Sequence, residues 1–164
     1  MHVEFAPRGI LQIDDVEGRE LIPSFRNFKG EGSRFNREGD RNFALRIPDR
    51  ELADRLIADG WNVKVKPPRE EGDDEFILLP VKVKFNDRGP SVYLVSGMVQ
   101  TPLDEESIAC LDDIDILSAN LDIRPYDWEV NGKTGRTAYL QGIKVFQKVD
   151  RFAAEYAEYQ KHGQ

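Results

Sequence analysis

Residues 115–129, DILSANLDIRPYDWE, and residues 137–148, TAYLQGIKVFQK, flank the tripeptide Asn131-Gly132-Lys133. An Asn-Gly step supplies the left-handed backbone that a tight hairpin needs, so the two flanks are read as strands closed by that turn. Working upstream, Ser91 to Val99 and Phe76 to Phe85 are further strands, joined by the turn residues Asn86-Asp87-Arg88-Gly89-Pro90. Trp61 to Lys66 alternates Trp61, Val63 and Val65 with Asn62, Lys64 and Lys66. Arg41 to Ile47 likewise sets Phe43, Leu45 and Ile47 against Asn42, Ala44 and Arg46. Leu21 to Phe28 begins as a strand carrying Ile22, Phe25 and Phe28, and Gly30-Glu31-Gly32-Ser33 reads as a flexible turn.

Helical signals are fewer. Asp49 can cap a short helix with Leu52, Leu56 and Ile57 at helical spacing and Gly60 placed to stop it. Thr101 and Pro102 mark a second helix start, with the helix expected over about 103–111. From Asp150 to Gln160 the residues Phe152, Ala153, Tyr156 and Tyr159 give a weakly amphipathic tail helix. The expected fold is mainly β: a small closed or partly closed barrel with two short helices and a C-terminal helix. Residues 1–20 are expected as an N-terminal extension, 21–149 as one domain and 150–164 as a helical tail; 164 residues suit a single core.

Composition narrows the function. The single cysteine, Cys110, excludes an internal disulfide framework and suits a reducing cytoplasm; its apolar neighbours point to a buried thiol. No apolar run is long enough to span a membrane, and the N-terminus lacks a secretory pattern, so a cytoplasmic location is expected. The two histidines, His2 and His162, lie near the chain ends, which leaves no internal base for a nucleophile. There is no phosphate-binding glycine loop, no zinc-ligand spacing and no Ser/His/Asp set. The chain is therefore not read as an enzyme, and no cofactor or metal is expected. One enzymatic rival stays open, a metal-dependent nuclease using Asp112, Asp113 and Asp115, although adjacent acids in a turn are usually a solvated surface.

The net charge of −7 disfavours a nucleic-acid partner until its distribution is considered. Residues 1–20 carry −3, 70–75 carry −5, and 104–122 hold seven acids and no base. Residues 24–46 carry +3, 61–69 hold three bases and no acid, and 124–148 carry +3. Charge is segregated, and a basic face on an acidic protein is an expectation consistent with it.

Aromatic rings recur beside the bases, in 27–37, in Arg124-Pro125-Tyr126-Asp127-Trp128 and from Lys133 to Tyr139. Unpaired bases expose flat apolar faces on a charged backbone, so a sequence-tolerant binder needs rings next to cations. Phe35, Tyr126, Trp128 and Tyr139 are candidate stackers. Lys29, Arg34, Arg37, Lys64, Lys66, Arg124, Lys133 and Arg136 are candidate phosphate contacts. Phe43 and Trp61 run in phase with apolar neighbours and are read as core; for Phe35 and Tyr126 binding and structural roles both stand. Lys64 and Lys66, and Lys82 and Lys84, project from one face of their strands, as a solvated sheet face or as a phosphate-tracking surface.

Three blocks carry a resemblance: Arg26-Asn27-Phe28-Lys29-Gly30 with Phe35 through Phe43, Asp59 through Lys64, and Pro125 through Lys133 with Gly135 and Ala138-Tyr139-Leu140. In this order they resemble a group of phage single-stranded DNA-binding proteins over roughly residues 24–148. The resemblance implies an OB-type fold that coats single-stranded DNA without sequence specificity during replication or recombination. It also implies single-stranded DNA as partner, with replication or recombination proteins and a homo-oligomer as further expectations. The C-terminus, Tyr159-Gln160-Lys161-His162-Gly163-Gln164, departs from the acidic tail of many such proteins. The rival from another class is a phage module that binds a host protein through DNA-mimicking acidic patches, which the net charge suits.

Overall fold

A computed structural model describes residues 1–15, 21–68, 70–73 and 75–149. The long hairpin forms as expected. β9 (Ile116–Val130) and β10 (Lys133–Gln147) pair antiparallel along their whole length. Both turn residues, Asn131 and Gly132, take positive φ (52° and 78°), the combination a two-residue hairpin turn requires.

The other strands are β1 (His2–Phe5), β2 (Leu11–Asp14), β3 (Ser24–Asn27), β4 (Arg41–Arg46), β5 (Lys64–Lys66), β6 (Phe76–Val83), β7 (Ser91–Ser96) and β8 (Val99–Leu103). They make one ten-stranded sheet whose main path runs β1-β2-β9-β10-β6-β4-β3, with β5 beside β6 and the β7/β8 hairpin beside β10. β10 lies parallel to β6 at Ala138 and Tyr139, then parallel to β7 from Gly142 to Phe146. The sheet thus branches at β10 and does not close on itself among the described residues. The fold is mainly β; the expected tail helix lies outside those residues. The segment expected as an N-terminal extension supplies β1 and β2, and Val3, Leu11 and Ile13 are buried.

One face of the sheet carries the core. Phe43 and Leu45 of β4, Ile77, Leu79, Val81 and Val83 of β6, and Ala138, Leu140, Ile143 and Val145 of β10 all face it. Phe28 stacks on Phe43 with centroids 5.2 Å apart. The helix α1 (Arg50–Ala58) adds Leu52, Ala53 and Leu56 to this core. Asp49 caps it, accepting from the Leu52 amide at 2.7 Å, and Gly60 follows its end at φ +98°. Trp61 is buried as expected, but Ile57 is 43% exposed, since a nine-residue helix presents only a narrow stripe to the sheet. The strand expected from Trp61 is also shorter, pairing with β6 only over Lys64–Lys66.

The helix expected over 103–111 is not formed. The chain turns at Gly97-Met98 and returns as β8, where Pro102 faces Tyr93 on an edge strand that can spare its N–H. Asp104 then accepts from the Glu106 and Ser107 amides, and a 3-10 turn over Ile108–Asp112 follows. Local side-chain bonding of this kind competes with helix formation. Cys110 is half-buried in that turn, and burial pushes its thiol up. No helix of the described residues is long and apolar enough to cross a membrane.

The cap on α1 gives a simple check of these assignments. Asp49→Ala should lower stability by about 1 kcal/mol in urea titration, through the orphaned first-turn amides.

Candidate nucleic-acid interface

The face opposite the core is built by the same alternation. Where β4, β6, β10 and β9 cross, Asn42 pairs with Lys82, Lys82 with Tyr139, and Tyr139 with Arg124. At a strand spacing of about 4.8 Å this row spans roughly 14 Å. It puts an amide, an ammonium, a phenol ring and a guanidinium in line across the sheet. The Arg124 guanidinium lies 4.9 Å above the Tyr139 ring, and Tyr126 meets Tyr139 edge-on at 6.0 Å.

A groove of about 790 Å³ runs along this face, with Phe25, Phe35, Phe85 and Tyr139 as rings and Lys64, Lys82 and Lys84 as cations. A second groove of similar volume shares Lys84 and continues past Arg88 and Arg124. The first groove mixes stacking surfaces with charge. The second is lined by polar groups, including Asn86, Ser91 and Gln141, and contains no aromatic ring.

The loop between β3 and β4 forms the wall of the first groove and is heavily bonded. Asn36 donates to the carbonyls of Glu31, Arg37 and Asp40 and accepts from Asn42 Nδ2. The Asp112 carboxylate accepts the backbone amides of Phe28 and Lys29, while Lys29 Nζ bonds Asp113 at 2.8 Å. That bond raises the Lys29 pKa. Two acids considered for metal binding thus fasten the loop. On this braced loop Phe35 is 92% exposed, with Arg34 at 5.7 Å from its ring. With Phe25, 69% exposed on the same groove, it makes an apolar patch in water, the kind of surface that marks an interaction site.

The structure brings Phe35, Lys64, Tyr139, Arg124 and Tyr126 together around these grooves. Arg34 lies beside Phe35; Arg37, on the same loop, and Lys66, opposite Phe76 on β5, are exposed but line neither groove. Trp128 and Lys133 sit further out on the β9/β10 hairpin. The Trp128 indole lies over Gly135, where a Cβ would overlap the ring. Lys29 is committed to Asp113, and Arg136 points away from the row, bonded to Asp127 at 2.7 and 3.2 Å.

Sequence reasoning did not single out Phe25, Phe85, Arg88 or Asn42, and left Lys82 and Lys84 between two readings. The period-two spacing of the lysines was a usable signal. Phe25 gave none: it takes φ +51° at an irregularity between Ser24 and Asn27, leaving it 69% exposed and edge-on to Phe76.

Asp122 is the misfit. It lines the second groove among cations, yet burial, then the charge of Asp14, raises its pKa. A raised carboxyl pKa disfavours the fold wherever the group is ionised. The penalty operates above the folded-state pKa and disappears as pH falls towards the unfolded value. Asp122→Asn should therefore unfold at higher urea than the wild type at pH 7. The two should converge by about pH 3, below the ordinary carboxylate range.

A family model described as "Putative phage ssDNA-binding domain" matches residues 5–162. Among solved structures, the chain is similar to the single-stranded DNA-binding protein from bacteriophage Enc34 in complex with ssDNA. The TM-score is 0.55 at 13% identity, covering 92% of this chain and 93% of that one. It is similar also to a C-terminal truncation of the Enc34 protein, with TM-score 0.54 and 13% identity over 89% and 90% of the two chains. No curated protein matches the chain.

Proposed function

We propose, because the chain belongs to the phage ssDNA-binding domain family, that it binds single-stranded DNA along the two joined grooves, without sequence preference. The observation that carries this is the row Asn42–Lys82–Tyr139–Arg124 with Phe35 beside it. Rings offer a face that any base can stack on, and the cations between them follow the phosphates whatever the sequence. Few base-edge readers are needed for such binding, and the row supplies one amide. The aromatic groove holds bases, and the polar groove past Arg88 holds backbone.

On this reading the branched, incompletely closed sheet serves as an OB-type barrel would, presenting one face to oligonucleotides. Likeness of fold to the Enc34 protein, whose structure includes ssDNA, supports this reading. The protein acts stoichiometrically, without catalysis, coating transient single strands during phage or bacterial replication or recombination. Two of its acids are engaged by bases beside the groove: Asp113 holds Lys29, and Glu105 holds Arg41 at 3.3 Å. The net negative charge is thereby compatible with a basic track.

Anisotropy titration of labelled oligothymidine over a salt series tests the proposal. The logarithm of affinity should fall linearly with the logarithm of salt concentration, and Lys82→Ala/Lys84→Ala should flatten that slope by roughly 1.4, two single-strand phosphate contacts. An unchanged slope would remove these lysines from the track, and no binding at low salt would end the proposal. Phe35→Ala should weaken binding by about 1–3 kcal/mol per stacked base lost. Its thermal unfolding should stay at the wild-type temperature, because the ring is exposed.

A further inference from the structure

The β9/β10 hairpin outgrows the sheet. β2 pairs with β9 only at Leu121, Asp122 and Ile123, and β6 pairs with β10 only at Ala138 and Tyr139. Residues 124–137 therefore stand out as a two-stranded arm, with Pro125 at its base against Gly9. A lone two-stranded ribbon is marginal in water and does not hold a fixed direction unaided.

One face of this arm carries Tyr126 and Trp128, following Arg124 and opposite Thr137 and Gly135. Alternate ring positions on a strand lie about 6.8 Å apart, within the reach of successive nucleotides of an extended single strand. The other face carries Asp127 and Arg136, directly paired across the hairpin. Arg136 Nε and Nη2 hold the two Asp127 oxygens at 2.7 and 3.2 Å. Its remaining nitrogen, Nη1, crosses to the end of α1, donating to the Asp59 carbonyl at 2.8 Å. The guanidinium also lies 5.3 Å over the ring of buried Trp61, whose Nε1 donates to the Asp59 carboxylate at 2.9 Å. Gly60, between them, takes φ +98°, and a Cβ there would meet the guanidinium only at an ordinary 3.9 Å.

We propose that Arg136 is a positioning residue for DNA: pinned by Asp127, it docks the arm onto the α1 end and so aims Tyr126 and Trp128 along the groove axis. This rests on the single-stranded DNA reading. It differs from a phosphate contact, because each of the three guanidinium nitrogens donates to a protein acceptor on the side away from the rings. Its planar fork spans both strands of the arm and the helix end at once, which a lysine cannot do.

The sign of one charge change separates the two roles. On electrostatics alone, Asp127→Asn removes an acid from a DNA-binding arm and tightens binding. If Arg136 positions the arm, Asp127→Asn frees it and weakens binding despite the more favourable charge. We expect oligothymidine affinity to fall about fivefold in Asp127→Asn and similarly in Arg136→Lys, with the double variant no worse than either single one. Amide exchange in the free protein should quicken over residues 124–137 in both variants while residues 76–83 keep wild-type protection. Equal or tighter binding by Asp127→Asn, or unchanged exchange in the arm, would overturn the assignment. A wild type that does not bind oligothymidine would instead overturn the DNA reading itself, and this assignment with it.

Discussion

Strands β9 and β10 pair antiparallel from the Asn131-Gly132 turn down to Gln147, in one register as far as Leu140, and most of the sheet reaches its place through them. β2 enters through β9, and both β6 and β7 enter through β10. Because side chains alternate with period two, a slip of one residue would put Tyr139 and Arg124 into the core and Ala138 and Ile123 into water. Burial of Ile123, Leu140 and Val145 excludes that slip, and the same burial aligns the outer row. Core packing and site geometry are thus two consequences of one register.

That register contains a deliberate break. Between Leu140 and Gly142 the pairing skips Gln141, which stays exposed. Without the skip, the core phase of Ala138 and Leu140 would carry Gly142 and Lys144 inward. With it, Ile143 and Val145 face the core, and β10 leaves β6 for β7 at the same point. A bulge both redirects a strand and resets its faces. Here it also marks the boundary between the ring-bearing groove and the polar one, since Gln141 and Gly142 line the second.

Charge is arranged on the same frame. Acids sit where backbone amides or cations need partners: Asp112 under the Phe28–Lys29 amides, Asp113 on Lys29, Asp127 on Arg136. Their carboxylates are used locally, and Arg136 holds Asp127 below its ordinary range. Lys64 and Lys82 face no acid by register: Lys82 lies opposite Asn42 and Tyr139, and Lys64 opposite Leu78. An acidic protein can therefore present a positive track, because local pairing, not net charge, sets the potential a phosphate meets at close range.

Much of this was legible in the residues alone. The Asn-Gly turn, the alternation of Phe43, Leu45 and Ile47, the capped helix at Asp49 and the segregation of charge all depend on neighbours within a few positions. So did the period-two lysines and the rings at 124–128 and 133–139. Even the phase change between Leu140 and Ile143 is written there, though it reads as a bulge only beside a partner strand. What failed was decided at longer range. Thr101-Pro102 satisfies the start rules of a helix, but the chance to pair with Tyr93 makes it an edge strand. Phe25 and Phe28 share one apolar stretch, yet a left-handed residue turns one outward while Phe43 takes the other. Lys29 and Arg136 look as available as Lys64 and Lys82, and nothing local says that acids 84 and 9 residues away will bind them. Local sequence determined which residue types lie on strands and which strands are basic. The tertiary structure alone decided which cations are held by acids, because that depends on which carboxylates the register brings within a few ångströms.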